Sequence, residues 1–406
     1  QHPQHLLFRI HFGEKMKQNS SLSMVVEIMT EFADLTGLTQ EGKVARRYLW
    51  PDAFAVCNFL DLYRQTGDDR YKDLALLLVD QVHNILGRHR EDDSRTGWIS
   101  GLDHEEGEMH PTKGGLRIGK KLNERGPSDH FDESLEWDRD GQYYHYLTKW
   151  MHALNRVSRV TADTTYNTWA VELAKTVHSR FVYVPFSGSQ KRMYWKMSID
   201  LSRPLVQSMG QHDPLDGFIT YNQLRLCGAD NSEKTPGPDL SDEITDMDNI
   251  CKGKSWVTDD PLGIGSLLCD AYRVAQMIVS KNFEQTDLLE TLLDSSLPGL
   301  ESYSRTNPLN LPADYRLAFR ELGLSIGMRA VERLQELIKD KPDMFTERHS
   351  LHANIEALMR YTPLIETIEY FWLERTSREA NSWTDHCDIN MVMLATSLAP
   401  DGFLTL

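Results

Sequence analysis

The stretch Trp137-Asp-Arg-Asp-Gly-Gln-Tyr-Tyr-His-Tyr146 places two carboxylates, a guanidinium, an imidazole and three tyrosines side by side. Read as the opening turns of a helix, its spacing puts Asp138, Gln142 and His145 on one side and Asp140 and Tyr144 on another. A carboxylate beside an imidazole suits general acid–base work, because the carboxylate holds the tautomer and favours the protonated ring. Two other stretches have the same character. Gln211-His-Asp-Pro-Leu-Asp-Gly217 sets His212 and Asp213 just ahead of an apolar helix, with Pro214 suited to its first turn. Trp383-Thr-Asp-His-Cys-Asp388 sets Asp385 and His386 ahead of the last one.

The candidate catalytic residues are therefore Asp138, Asp140, His145, His212, Asp213, Asp385 and His386. Two chemistries are open to them. Paired carboxylates drawn from Asp138, Asp140, Asp213 and Asp385 would serve glycoside hydrolysis or an elimination, one as acid and one as base or nucleophile. Histidines would instead move a proton beside a carbonyl, as an epimerase or isomerase requires. No HExxH or comparable carboxylate–histidine pattern is present, so no metal and no cofactor is expected.

Sugars also need aromatic platforms for their apolar ring faces and polar groups for their hydroxyls. Trp50, Trp98, Trp137, Tyr144, Trp195 and Trp383, with Asp52, His104 and Asp260, are the candidates, most of them at helix starts or in loops. Trp150 and Trp169 fall in mid-helix and read as core. Helix capping explains Asp52, Asp213, Asp260 and Asp385 equally well when each is taken alone, because first-turn N–H groups seek such acceptors. The Trp, His and Tyr residues beside them carry the case for a binding site; a binding protein without chemistry is the remaining alternative.

The helices that carry these residues follow a repeat. A long, almost wholly apolar helix, a Thr-Gly-Asp or Thr-Ala-Asp turn, and a second, amphipathic helix occur at 53–86 and again at 143–182. Further inner-helix starts are predicted near Asp213, Asp260, Tyr315 and Asp385, six in all. Outer partners are predicted at Leu288–Tyr303, at Ile355–Leu373 and, more weakly, within 238–252, while Leu22–Leu35 could supply the last outer partner and close a ring. Residues 1–20 are polar and aperiodic and read as a flexible tail, leaving 21–406 as a single domain. Strand signals are confined to a hairpin, 180–186 with 191–199, turning at Gly188. Residues 88–136 form a connection long enough to be functional, and 229–249 read as a solvated acidic loop.

Six such hairpins resemble the (α/α)6 toroid of the six-hairpin glycosidases and of the N-acylglucosamine 2-epimerase-like sugar isomerases. The resemblance implies a nearly all-α fold, with the inner-helix N-termini lining a funnel where sugars bind. It also implies a carbohydrate-active enzyme taking a small-molecule or oligosaccharide substrate; between the two chemistries the residues themselves lean slightly to a glycoside hydrolase over an epimerase.

Whole-chain composition agrees. At 60 acidic against 44 basic residues the net charge is −16, a poor footprint for nucleic acid or an anionic membrane. Five widely spaced cysteines and no CxxC argue for free thiols and a cytoplasmic, reducing setting. No signal-peptide h-region and no apolar run of membrane-spanning length is visible.

Overall fold

The computed structural model describes residues 3–229, 239–281, 283–345 and 348–406. Its main helices are α1 (Pro3–Leu35), α2 (Leu49–Thr66), α3 (Asp69–Leu86), α4 (Tyr144–Thr161), α5 (Thr165–Phe181), α6 (Asp213–Ala229), α7 (Ser241–Cys251), α8 (Pro261–Lys281), α9 (Thr286–Thr306), α10 (Ala318–Asp340), α11 (His349–Met359), α12 (Pro363–Leu373) and α13 (Cys387–Leu398). The fold is all-α. Helices α2, α4, α6, α8, α10 and α13 each pack on the next, and α13 packs back on α2, closing a ring of six. Outside it, α3, α5, α7 and α9 each cover the inner helix that precedes them, α11 and α12 cover α10, and α1 covers α13. This is the (α/α)6 toroid, with α1 closing it as its spacing suggested.

Local chemistry makes the hairpins. Thr66 Oγ1 donates to Leu62 O and accepts the Asp68 N–H, Gly67 turns at φ 69°, and the Asp68 carboxylate accepts the Arg70 N–H at the start of α3. The second copy repeats each contact: Thr161 to Val157 O, the Asp163 N–H to Thr161, Ala162 at φ 60°, and the Thr165 N–H to Asp163. One hydroxyl and one carboxylate thus end an inner helix and begin an outer one.

Inner helices are buried nearly all round, which explains their unbroken apolarity. Helix α8, the one described helix long and apolar enough to cross a membrane by length and composition, is one of these ring members. Its contact with α10 is unusually close: a Cβ on Gly265 would stand 2.0 Å from Gly323 O, so only glycine permits it.

Three details differ from the sequence expectations. Helix α1 extends back to Pro3, through the region read as a tail. The acidic segment read as a loop folds into α7 from Ser241, burying Ile244, Met247 and Ile250 on one face; 230–238 lie outside the described residues. Helix α4 begins at Tyr144 and not near Trp137, because Gly141 adopts φ 152°, where a Cβ would meet Met197 O at 2.8 Å.

The strands are short. β1 (Gln142–Tyr143), β4 (Lys196–Met197) and β5 (Pro204–Val206) form one antiparallel sheet, and β2 (Val182–Tyr183) pairs β3 (Arg192–Met193) in the expected hairpin. Residues 88–136 wrap over the end of the toroid where the inner helices start, adding the one-turn helices His104–Met109 and Glu133–Glu136.

Candidate functional site

A cavity of about 390 Å3 occupies the axis of the toroid and is lined by residues of all six inner helices or the turns entering them. The order of the ring sets what faces what. Helices α2 and α8, α4 and α10, and α6 and α13 lie on opposite sides. His212, just ahead of α6, and His386, just ahead of α13, therefore line the cavity from opposing sides, with His145, in the first turn of α4, between α2 and α6.

Each histidine has a defined environment. His212 Nε2 donates to Trp256 O at 2.9 Å, and the neighbouring Gln211 amide donates to Ser255 O and Val257 O, so residues 211–212 are clamped to 255–257. That bond fixes the Nε2–H tautomer and leaves Nδ1 with its lone pair. His145 has the opposite tautomer: Trp195 Nε1 donates to its Nδ1 at 3.3 Å, leaving the proton on Nε2. Its ring is near-parallel to Tyr143 and Trp195, at centroid distances of 5.3 and 6.2 Å. Burial, reinforced by Lys149, pushes its pKa down to about 3, so the ring is neutral. His386 packs edge-on to Phe319 at 5.6 Å, and burial lowers its pKa as well.

The floor is a buried ion network. Arg273 Nη2 donates to Asp216 Oδ1 at 3.0 Å and to Asp270 Oδ1 at 2.7 Å, while Nη1 reaches Thr220 and Gln223. Thr148 donates to Asp216, and Lys149 Nζ lies 3.5 Å from each of its oxygens. Burial raises the Asp216 carboxyl, but Lys149, Arg273 and Thr148 more than offset it and hold it ionised below the ordinary range. Asp213, one turn away, has no such partner. Its Oδ2 is buried without a hydrogen bond, and burial together with the Asp216 charge pushes its pKa up to about 7. Below these, Phe403 and Leu404 close the axis, anchored by His152 Nε2 on Phe403 O at 2.7 Å and Gln276 on Leu404 O at 2.8 Å.

Of the residues singled out in the sequence, His145, His212, Asp213, His386, Trp50, Trp137, Trp195 and Asp260 line this one cavity. The rest lie elsewhere. Asp138 is exposed, and with α4 starting at Tyr144 it shares no helix face with His145. Asp140 is fully buried outside the cavity, where it accepts from Arg90 at 2.9 Å, Arg117 at 3.1 Å and the Gly119 and Gly141 N–H groups, stapling the long connection to the start of α4. Asp385 is exposed and does not line the cavity, acting on His386 through its charge alone.

Among the binding candidates, Asp52 caps α2 by accepting the Tyr48 N–H at 3.0 Å. Trp98 is buried under Arg88, 4.2 Å from the ring centroid. His104 is exposed, 3.4 Å from Glu108. Tyr144 is core, its hydroxyl 2.7 Å from that of Tyr221, and Trp383 stacks on Trp372 at 5.6 Å. Asp260, though at the cavity, also caps α8 through the Gly263 N–H and pairs with Arg320 at 2.9 Å.

Several lining residues were not anticipated: Tyr48, Lys120, Tyr146, Lys149, Asp270, Arg273 and Arg320. Charges at Lys149, Asp270 and Arg273 interrupt otherwise apolar inner helices, a signal that buried ionic groups leave in a sequence. Gly263, Gly265 and Gly323, poor helix formers near helix starts, make one cavity wall.

No family model and no curated protein matches this chain. Among solved structures, one titled "Crystal structure of sugar epimerase from ruminal bacterium" resembles it with a TM-score of 0.45 and 11% sequence identity, covering 82% of this chain and 86% of that one.

Proposed function

We propose that this chain is a carbohydrate-active enzyme of the proton-transfer kind, an epimerase or isomerase acting on a small sugar in its open-chain form. His212 Nδ1 takes the proton from the carbon beside the carbonyl, giving an enediolate. His386, on the opposing side of the cavity, takes a proton from solvent and delivers it to the enediolate from the other face, and His212 releases the proton it took to solvent, restoring the site. Return to the same carbon inverts it, and return to the former carbonyl carbon gives the isomeric ketose or aldose. His145, neutral and carrying its proton on Nε2, donates to the oxygen on which charge develops. The aromatic surround of Tyr48, Trp50, Tyr143, Tyr146 and Trp195 suits the apolar faces of a sugar.

The observation that carries this reading is the His212–Trp256 bond, which leaves a base nitrogen on a cavity-lining histidine whose counterpart lies across the ring. A carboxylate pair is less well supported. Of the four aspartates suited to it by sequence only Asp213 lines the cavity, and Asp216, Asp260 and Asp270 are held by arginines. Hydrolysis or elimination remains the second reading because of Asp213 itself, whose raised pKa fits a general acid. Incubation with a panel of reducing sugars and of glycosides, followed by NMR, separates the two: an epimer or ketose supports the first, and a new reducing end with no epimer supports the second.

A further inference from the structure

The cations at the cavity are not equivalent. Arg273 is engaged by Asp216 and Asp270, Arg320 by Asp260, and Lys149 lies near Asp216. Lys120, contributed by the long connection, is different. Its Nζ stands over the rings of Tyr48 and Trp137, at 5.2 and 5.9 Å from their centroids. Among the described residues no carboxylate comes within ion-pair distance of it, and Asp138 and Asp140 act on it only at longer range. In a chain with 60 acidic residues, a half-buried cavity-lining amine without a counter-ion is the exception. Burial, with Lys196 nearby, pushes its pKa down to about 8, the mark of a cation short of compensation. Its charge acts on both His145 and His386, so it stands within electrostatic reach of each.

We propose that the substrate is a sugar bearing an anionic group, a carboxylate or a phosphate ester, and that Lys120 at the Tyr48–Trp137 face binds that group. This rests on the reading of the cavity as a sugar site. The aromatic faces take the ring while the ammonium takes the charge, an arrangement that also strengthens a charge-assisted hydrogen bond by excluding water. The anion selects the substrate and orients it with its carbonyl end toward the histidines.

The test is titration of the full chain with glucuronate, glucose 6-phosphate, glucose and inorganic phosphate, read by calorimetry, on the wild type and on Lys120→Met and Lys120→Arg, with thermal midpoints recorded. An anionic sugar is expected to bind about tenfold or more tightly than glucose, an advantage of about 1.4 kcal/mol. That advantage is lost in Lys120→Met and retained in Lys120→Arg, and the sugar that shows it identifies the anion. Equal binding of glucose and both anionic sugars by the wild type overturns the proposal while leaving the sugar site standing. So does an advantage that survives in a folded Lys120→Met. Binding of phosphate with no binding of any sugar overturns the reading of the cavity itself.

Discussion

Asp213 and Asp216 enter the same cavity one turn apart on α6 and meet opposite surroundings: Arg273, Thr148 and Lys149 surround Asp216, while Asp213 Oδ2 has no partner. Neighbouring carboxyls so treated are driven apart in acidity, one ionised and one holding its proton near neutrality. The contrast gives a site with both an anion and an acid from a single helix turn.

A stability effect follows from Asp213. Its folded pKa of about 7 lies above the ordinary 3.8, so the folded state holds the proton more tightly than the unfolded chain. Stability is then greatest below pH 4 on this account, falls as pH rises from about 4 to about 7, and stays low above, by up to about 1.4 kcal/mol per pH unit crossed. Asp52, raised by burial to about 6, adds a slope of the same sign. Asp213→Asn is expected to raise the melting temperature most at pH 8, by less at pH 5 and little at pH 4, measured by calorimetry across that range. An equal shift at all three values would mean that Asp213 is ionised throughout.

Arg273 holds Asp216 and Asp270 together in a buried network. Arg273→Met leaves Asp270 without its partner and Asp216 with Lys149 and Thr148 alone, an expected loss of about 3–5 kcal/mol. Urea denaturation at pH 7.5 checks this, and part of the loss should be recovered at pH 5, where the stranded carboxylates can take up protons.

Asp138 and Asp140 separate structure from chemistry in the richest stretch of the sequence. Asp140→Ala is expected to cost about 3–5 kcal/mol, since Arg90 and Arg117 lose their buried acceptor. Asp138→Asn is expected to stay within about 0.5 kcal/mol of the wild type and to keep its activity. Denaturation curves and turnover on both variants decide it.

The toroid was legible in the sequence because its two determinants are local: inner helices apolar on every face, and Thr-x-Asp turns that end one helix and start the next. The lining of the cavity was legible where a residue stands directly at an inner-helix start, as His212 and His386 do, since the starts share one end of the ring. It was not legible around Asp138 and Asp140, where the φ of Gly141 forbids the helix that their spacing implied. Nor was Lys120 foreseeable, because a long connection with no periodicity determines where it folds over the mouth. Lys149 and Arg273 sit deeper in their helices than any start signal reaches, and only their charge within apolar runs marks them.

Proton transfer by His212 predicts solvent isotope exchange beside the carbonyl. Wild type and His212→Asn are incubated in D2O with a mixture of aldoses and sugar acids, and deuterium beside the carbonyl carbon is followed by NMR. The wild type should introduce deuterium at that carbon, and His212→Asn should lose at least about 100-fold of the rate while its melting temperature stays within a few degrees. Exchange at the wild-type rate in His212→Asn, or a wild type that incorporates no deuterium into any sugar offered, would contradict the account.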